Sequence, residues 1–202
     1  MLLSRISRKK LTTLDRVNIG VFGAIAVTTQ MIVGFAVGTT LVGVVLNVPI
    51  ISLFLGTIYM LLAVKVRKTG VFLALGIINA LPDLMVANVI GVILCIAGSF
   101  IAEYIASRRD YSKKCDLIAA YVSERTTHFV GFCLPIYLSA VNYLYERKDM
   151  FHLTEETIQE FVSYVTWPGF IGIIVLNIVT SLIGAWVGLR VLTKHFEKAG
   201  LV

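Results

Sequence analysis

Charge is scarce in this sequence. Only 15% of its 202 residues are Asp, Glu, Lys or Arg, against about a quarter in soluble domains. So few charges cannot clothe a chain that is 57% hydrophobic with a mean hydropathy of +0.87. A soluble globular protein is therefore excluded, and an integral membrane protein is expected. Cysteine is sparse too. Cys95, Cys115 and Cys133 form no C-x-x-C pair, which excludes a zinc knuckle or a disulfide frame. They read as three buried membrane-helix cysteines. The phosphate-cradling G-x-x-x-x-G-K-[ST] is absent, as are H-E-x-x-H, G-x-S-x-G and C-x-x-C-H. His128, His152 and His195 fall in different topological zones, so no three-histidine metal site is expected. The adjacent acids Glu155 and Glu156 lie in a loop rather than inside the membrane, where a paired-glutamate protease would need them. These absences point away from an enzyme and from any resident metal or cofactor.

Long apolar runs are what the chain has instead. A span needs about 20 mostly apolar residues. Runs at 17–38, 41–64, 70–82, 84–106, 116–144 and 168–192 are read as six spans of an all-α membrane bundle. The basic stretch with Arg5, Arg8, Lys9 and Lys10 resembles the start of a signal peptide. The apolar run after it is longer than the usual core of such a peptide, so it is read as a retained first span. The third span is short and ends at Pro82-Asp83, which is tolerated only where protein or a cavity shields the freed backbone groups. Lys and Arg set the orientation. Fifteen of the 18 basic residues fall before the first span, between spans two and three, between four and five, or at and after the end of the sixth. Both termini are therefore expected in the cytoplasm, in one membrane domain: a basic segment 1–16, a bundle 17–192 and a tail 193–202. This placement accounts for the net charge of +6 without nucleic-acid binding.

The segment from Glu146 to Thr166 is polar and acidic. Thr154 is placed to cap a helix opening with Glu155 and Glu156, and Ile158, Phe161, Val162 and Val165 make one stripe. A short amphipathic outer helix follows, serving as an interfacial connector or as a lid over a pocket. Trp167 sits at interface depth and Pro168 suits a first helical turn. Small residues pair at i, i+4: Gly20 with Ala24, Gly34 with Gly38, Gly184 with Gly188. They allow close packing inside the bundle or against another membrane subunit.

The fifth span holds a second contradiction of its apolar setting, Glu124-Arg125-Thr126-Thr127-His128. Ionisable groups at this depth face a partner, water or a cavity. Tyr121, Glu124, His128, Gly131 and Pro135 share a helix face, and Glu124 can pair with His128. Arg125 points about 100° away and needs its own partner. At 1.5 Å per residue from Asp116, Glu124 lies about 12 Å and His128 about 18 Å along the helix, so His128 reaches the midplane. Asn79, Asp83 and Asn88 around the broken third span can face the same cavity, and Gln30, Asn47, Asn142 and Asn177 are further buried amides. Three roles stay open for the cluster: glue between helices, a binding pocket, or a proton relay.

At the C-terminus, Gly184-Ala185-Trp186-Val187-Gly188-Leu189-Arg190 runs into Lys194-His195-Phe196-Glu197-Lys198-Ala199-Gly200. This ending closely resembles that of the Trep-Strep (MptD-like) family. The resemblance extends in outline to the basic N-terminus, the small-residue first span, the V-R-K-T-G turn and the C-L-P motif late in span five. It implies a substrate-binding S component of an energy-coupling-factor (ECF) transporter: a compact six-helix bundle that captures a vitamin or other micronutrient from outside. Its implied partners are a transmembrane coupling subunit and two cytosolic ATPases in the cell membrane. A small-residue stripe on the first helix would pack on the coupling subunit, and Gly20 and Ala24 match it with Gly in place of the first Ala. The candidate substrate-binding residues are Asn79, Asp83, Asn88, Tyr121, Glu124, His128 and Trp167. A carboxylate beside an imidazole suits a polar or cationic ligand or a metal centre such as haem iron or cobalt, and Tyr121 and Trp167 can stack on a flat ring. The alternative is a stand-alone proton-coupled carrier using Glu124 and His128.

Overall fold

A computed structural model describes residues 10–38, 40–149 and 153–192. His152, His195, the tail motif 194–200 and the basic residues Arg5, Arg8, Lys9, Lys194 and Lys198 lie outside these residues. Among the described residues the regular structure is all helical, with no strand. The helices are α1 (Thr13–Val37), α2 (Leu41–Val66), α3 (Val71–Asn79), α4 (Leu81–Met85), α5 (Val89–Ser107), α6 (Lys114–Leu138), α7 (Ala140–Tyr145), α8 (Glu155–Tyr164) and α9 (Trp167–Val191). Four of them, α1, α2, α5 and α9, are long and apolar enough to cross a membrane. Their outward faces carry exposed Val, Ile and Phe side chains, among them Val21, Ile32, Phe100, Ile171 and Val175, as lipid contact requires.

Local chemistry sets the helix ends. Thr12 and Asp15 form a reciprocal capping box, so α1 begins at Thr13, four residues before the expected span. Thr40, Thr154 and Thr166 each cap the helix that follows, accepting from Gly43, Thr157 and Gly169 N–H. The third apolar run divides at Ala80, just before Pro82, into α3 and α4. The expected fourth span starts later than 84: residues 84 and 85 belong to α4, Ala87 turns in the left-handed region with φ 53°, and Asn88 caps α5. The expected fifth span also breaks. Ser139, at φ −158° and ψ 73°, ends α6 one turn after Pro135, and Asn142 falls in the separate α7. Cys95 and Cys133 are buried as expected, but Cys115, in the exposed stretch 112–115 at the start of α6, is exposed.

α2 and α9 meet in close backbone contact. A Cβ on Gly56 would lie 2.2 Å from the backbone of Gly184, and one on Gly184 would lie 2.6 Å from the Leu53 carbonyl oxygen. Gly184 and Gly188 thus serve packing inside the bundle. Around this contact, Leu55, Tyr59, Met60, Leu75, Leu117, Ala120 and Tyr121 build the main core toward the end that bears the basic turns. One buried carboxylate is fully used there. Glu103 of α5 accepts the Phe72 and Leu73 N–H groups at 3.1 and 3.4 Å and the Tyr111 hydroxyl at 2.7 Å. It caps α3, whose own N-cap is Gly70 with no side chain to offer.

At the opposite end, α8 lays Ile158 and Phe161 onto Val45, Ile136, Tyr143 and Leu144, which is the stripe read from the sequence. Arg147 ties this cap to the rest, donating to the Val86 and Ala87 carbonyls at 3.3 and 3.1 Å. Lys148 pairs with Glu155 at 2.6 Å, and Tyr145 also donates to Glu155.

Candidate functional site

α6 carries the unusual polar residues through the middle of the bundle, against α2, α5 and α9. Glu124 and Arg125 are 0% exposed, and His128 is 1%. Ionised groups so placed persist only with partners. Glu124 Oε1 lies 3.6 Å from Arg125 Nη1 and makes a long 3.5 Å contact with the Tyr59 hydroxyl. Asn79 donates to the same Tyr59 oxygen at 3.0 Å. Arg125 Nε donates to Ser52 Oγ at 3.3 Å, and Asn177 donates to the Arg125 carbonyl at 3.2 Å. Tyr121 donates to the Ser52 carbonyl at 2.5 Å. His128 takes a different partner from the one the helical spacing offers: its Nε2 meets Asp83 Oδ2 of α4 at 2.7 Å.

A cavity of about 600 Å³ stands above this network. Its walls come from the last turns of α1, the first turns of α2, α4, the second half of α6, α7 and the segment before α8. It therefore lies at the end of the bundle opposite the basic turns. Met31, Phe35, Val44, Val48 and Phe132 make most of the wall apolar, while Gln30, Asn47, Asp83, Arg125 and His128 supply the polar positions. That combination is usual for small-molecule sites. Gly34 leaves room in the wall: a Cβ there would lie 3.5 Å from the Asn47 amide nitrogen.

Several polar atoms here have no hydrogen-bond partner among the described residues. They are Arg125 Nη1 and Nη2, His128 Nδ1, Gln30 Oε1 and Asn47 Oδ1 at the cavity, with Glu124 Oε2 and Asn79 Oδ1 below it. Buried groups without partners are unusual in native structures. Cys95 Sγ, a Glu124 oxygen and a His128 nitrogen also lie within 4.8 Å of one another, a spacing compatible with a metal ion.

The seven residues expected at the site are thus dispersed. Asp83 and His128 meet at the cavity. Asn79, Tyr121 and Glu124 sit in the network beneath it. Asn88 caps α5, accepting from Gly91 N–H at 2.9 Å and donating to the Phe132 carbonyl at 3.1 Å. Trp167 is 54% exposed on the first turn of α9, packed edge-on to Phe170 at 5.9 Å. Tyr121 and Trp167 do not line the cavity, so they do not form one stacking platform. Sequence reasoning leaves Arg125, Gln30 and Asn47 out of the candidate set. Arg125 already carried the usable signal, a span arginine turned away from its neighbouring glutamate. Gly20 and Ala24 lie exposed on α1, with nothing within 4 Å of a Cβ on Gly20.

Neither the curated proteins nor the solved structures contain a match to this chain. A family model does match it, over residues 13–198, so this integral membrane protein belongs to the family described as hypothetical bacterial integral membrane protein (Trep_Strep).

Proposed function

We propose that the chain is the substrate-specific S component of an ECF-type importer in the bacterial cell membrane. It takes a small nutrient from outside and delivers it inward with a coupling subunit and two ATPases. The observation that carries this reading is the cavity of about 600 Å³ at the end away from the basic turns, floored by buried polar atoms with hydrogen-bonding capacity to spare. Positive residues favour the cytoplasmic side, so that end faces outward. The bundle then has six crossings: α1, α2, the α3–α4 pair, α5, α6 and α9, with both termini inside. α6 counts because 25 residues reach about 37 Å, its charges being shielded by the bundle. Catalysis has no part in this reading. ATP hydrolysis falls to other chains, since no phosphate-binding loop occurs in the sequence.

The exposed Gly20 and Ala24 of α1 offer a flat strip for the coupling subunit. Co-expression of the full chain with a coupling subunit and two ATPases tests the reading. Co-purification of all four chains is expected, and Gly20→Leu with Ala24→Leu should lower the yield of the assembly while leaving the fold intact. A chain that imports its ligand without ever associating with those subunits would sink the proposal. It would favour a second reading, a stand-alone proton-coupled carrier, for which the 2.7 Å His128–Asp83 pair is the motivating contact. Uptake into vesicles holding only this protein, driven by a proton gradient, separates the two.

A further inference from the structure

Arg125 is a buried charged side chain with most of its donors unused. A guanidinium has five N–H donors, and only Nε finds an acceptor, Ser52 Oγ at 3.3 Å. Nη1 and Nη2 have none, although the side chain is 0% exposed and lines the cavity. Glu124 compensates the charge without filling this gap. Its Oε1 stands 3.6 Å from Nη1, outside the hydrogen-bonding range, and it also meets Tyr59. Two adjacent N–H-bearing nitrogens on a planar fork match the two oxygens of a carboxylate or phosphate. Leaving such donors unused in a buried site is costly, so Nη1 and Nη2 call for an acceptor.

Resting on the binding-protein reading above, we propose that the cavity takes a molecule with an oxyanionic group, carboxylate or phosphate, joined to an apolar body, and that Arg125 recognises the anion. The body lies against Met31, Phe35, Val44, Val48 and Phe132. Gln30 Oε1 and Asn47 Oδ1, both without partners, accept N–H or O–H groups of that body and fix its orientation. A cationic ligand, one of the expectations from the sequence, fits less well. The cavity's carboxylate, Asp83, is already engaged by His128 at 2.7 Å. A metal ion on Cys95, Glu124 and His128 would have Arg125 beside one of its ligands, and that fixed positive charge opposes it.

The test uses the full chain in lipid nanodiscs, with 1-naphthylacetate, 1-naphthyl phosphate and the uncharged 1-naphthylacetamide as probes. Thermal midpoint and titration are the readouts. The acid and the phosphate are expected to raise the midpoint and the amide not to. Arg125→Lys keeps the charge but loses the fork, and it should weaken acid binding about tenfold or more. If that variant does not fold, the comparison of acid with amide on the wild-type chain decides alone. Anionic phospholipid in the nanodisc that competes with the acid would identify a lipid headgroup as the source of the same chemistry. No competition would identify a water-borne ligand. Acid and amide behaving alike, including no shift with either, overturns the proposal. So does stabilisation by Zn²⁺ or Co²⁺ that Cys95→Ser abolishes. Failure here is separable from failure of the importer reading. A chain that assembles with the ATPases yet ignores the acid loses only the anion. One that binds the acid but never assembles loses only the importer.

Discussion

Two buried glutamates on neighbouring helices show how differently the halves of this bundle use polarity. Glu103 of α5 spends both oxygens on protein donors: two α3 N–H groups and the Tyr111 hydroxyl. Glu124 of α6 leaves Oε2 without a partner, and the arginine next to it leaves two nitrogens without one. The first arrangement closes on itself and holds α3 to α5. The second leaves hydrogen-bonding capacity unused beside the cavity. A buried polar group that is fully paired rigidifies a fold, whereas a cluster of unpaired ones costs free energy. The same contrast runs through the packing. The half with the basic turns brings α2 and α9 into glycine contact, and the other half leaves a cavity of about 600 Å³.

The contrast can be broken most severely at the α2–α9 contact. Gly56→Leu would drive a side chain into the backbone of Gly184, 2.2 Å from the first added carbon. Neither backbone can move aside, so a loss above about 4 kcal/mol is expected, seen as no folded monomer on size-exclusion chromatography. Glu103→Gln is the next largest. It keeps the shape but replaces the charged acceptor of three hydrogen bonds, and should lower stability by about 1–3 kcal/mol with ligand affinity unchanged. A thermal midpoint with and without ligand checks both halves of that statement. Asn47→Leu sharpens the comparison from the open side. Its Oδ1 has no partner to lose, so stability should stay within about 0.5 kcal/mol while ligand binding falls. A marked destabilisation would show that the amide is structural after all.

The smallest effect belongs to the outer cap. Lys148, and after it Tyr145, hold the Glu155 carboxyl below its ordinary value of 4.5. A lowered carboxyl contributes stability that is present above the unfolded value and is lost as pH falls through the folded one. The midpoint should therefore drop slightly on acidification through the carboxylate range, and Lys148→Met should flatten that dependence. An identical pH profile in the variant would remove this clamp from the account. Exposed pairs of this kind contribute little, which places it last.

The outer cap was also the part most legible beforehand. Thr154, Glu155 and Glu156 announce a helix start, and Ile158 and Phe161 announce its buried side, because capping and periodicity act within a few residues. The break near Pro82 was readable for the same reason. α6 ends earlier than the apolar run to 144 suggests. Pro135 is tolerated inside that helix, and the turn at Ser139 is set by contacts of α7 and α8 that no local signal carries. Among the candidate residues, Glu124 and His128 stand out as anomalies, and their i, i+4 spacing allows them to pair. Asp83, 45 positions away in the chain, takes that histidine instead. Trp167 carried an interface signal and proved to have no place at the cavity.

By itself, then, the sequence determined the membrane class, the helical repertoire, most helix starts and the segregation of basic residues to one set of turns. Each is a property of composition or of neighbours along the chain. Only the tertiary structure decided which polar groups are satisfied and which are open. Glu103 and Glu124 look alike in an apolar helix. One meets backbone donors from a distant helix and the other meets an arginine whose remaining donors have no acceptor. That outcome depends on which helices lie side by side, through hydrogen bonds that act only over a few ångströms.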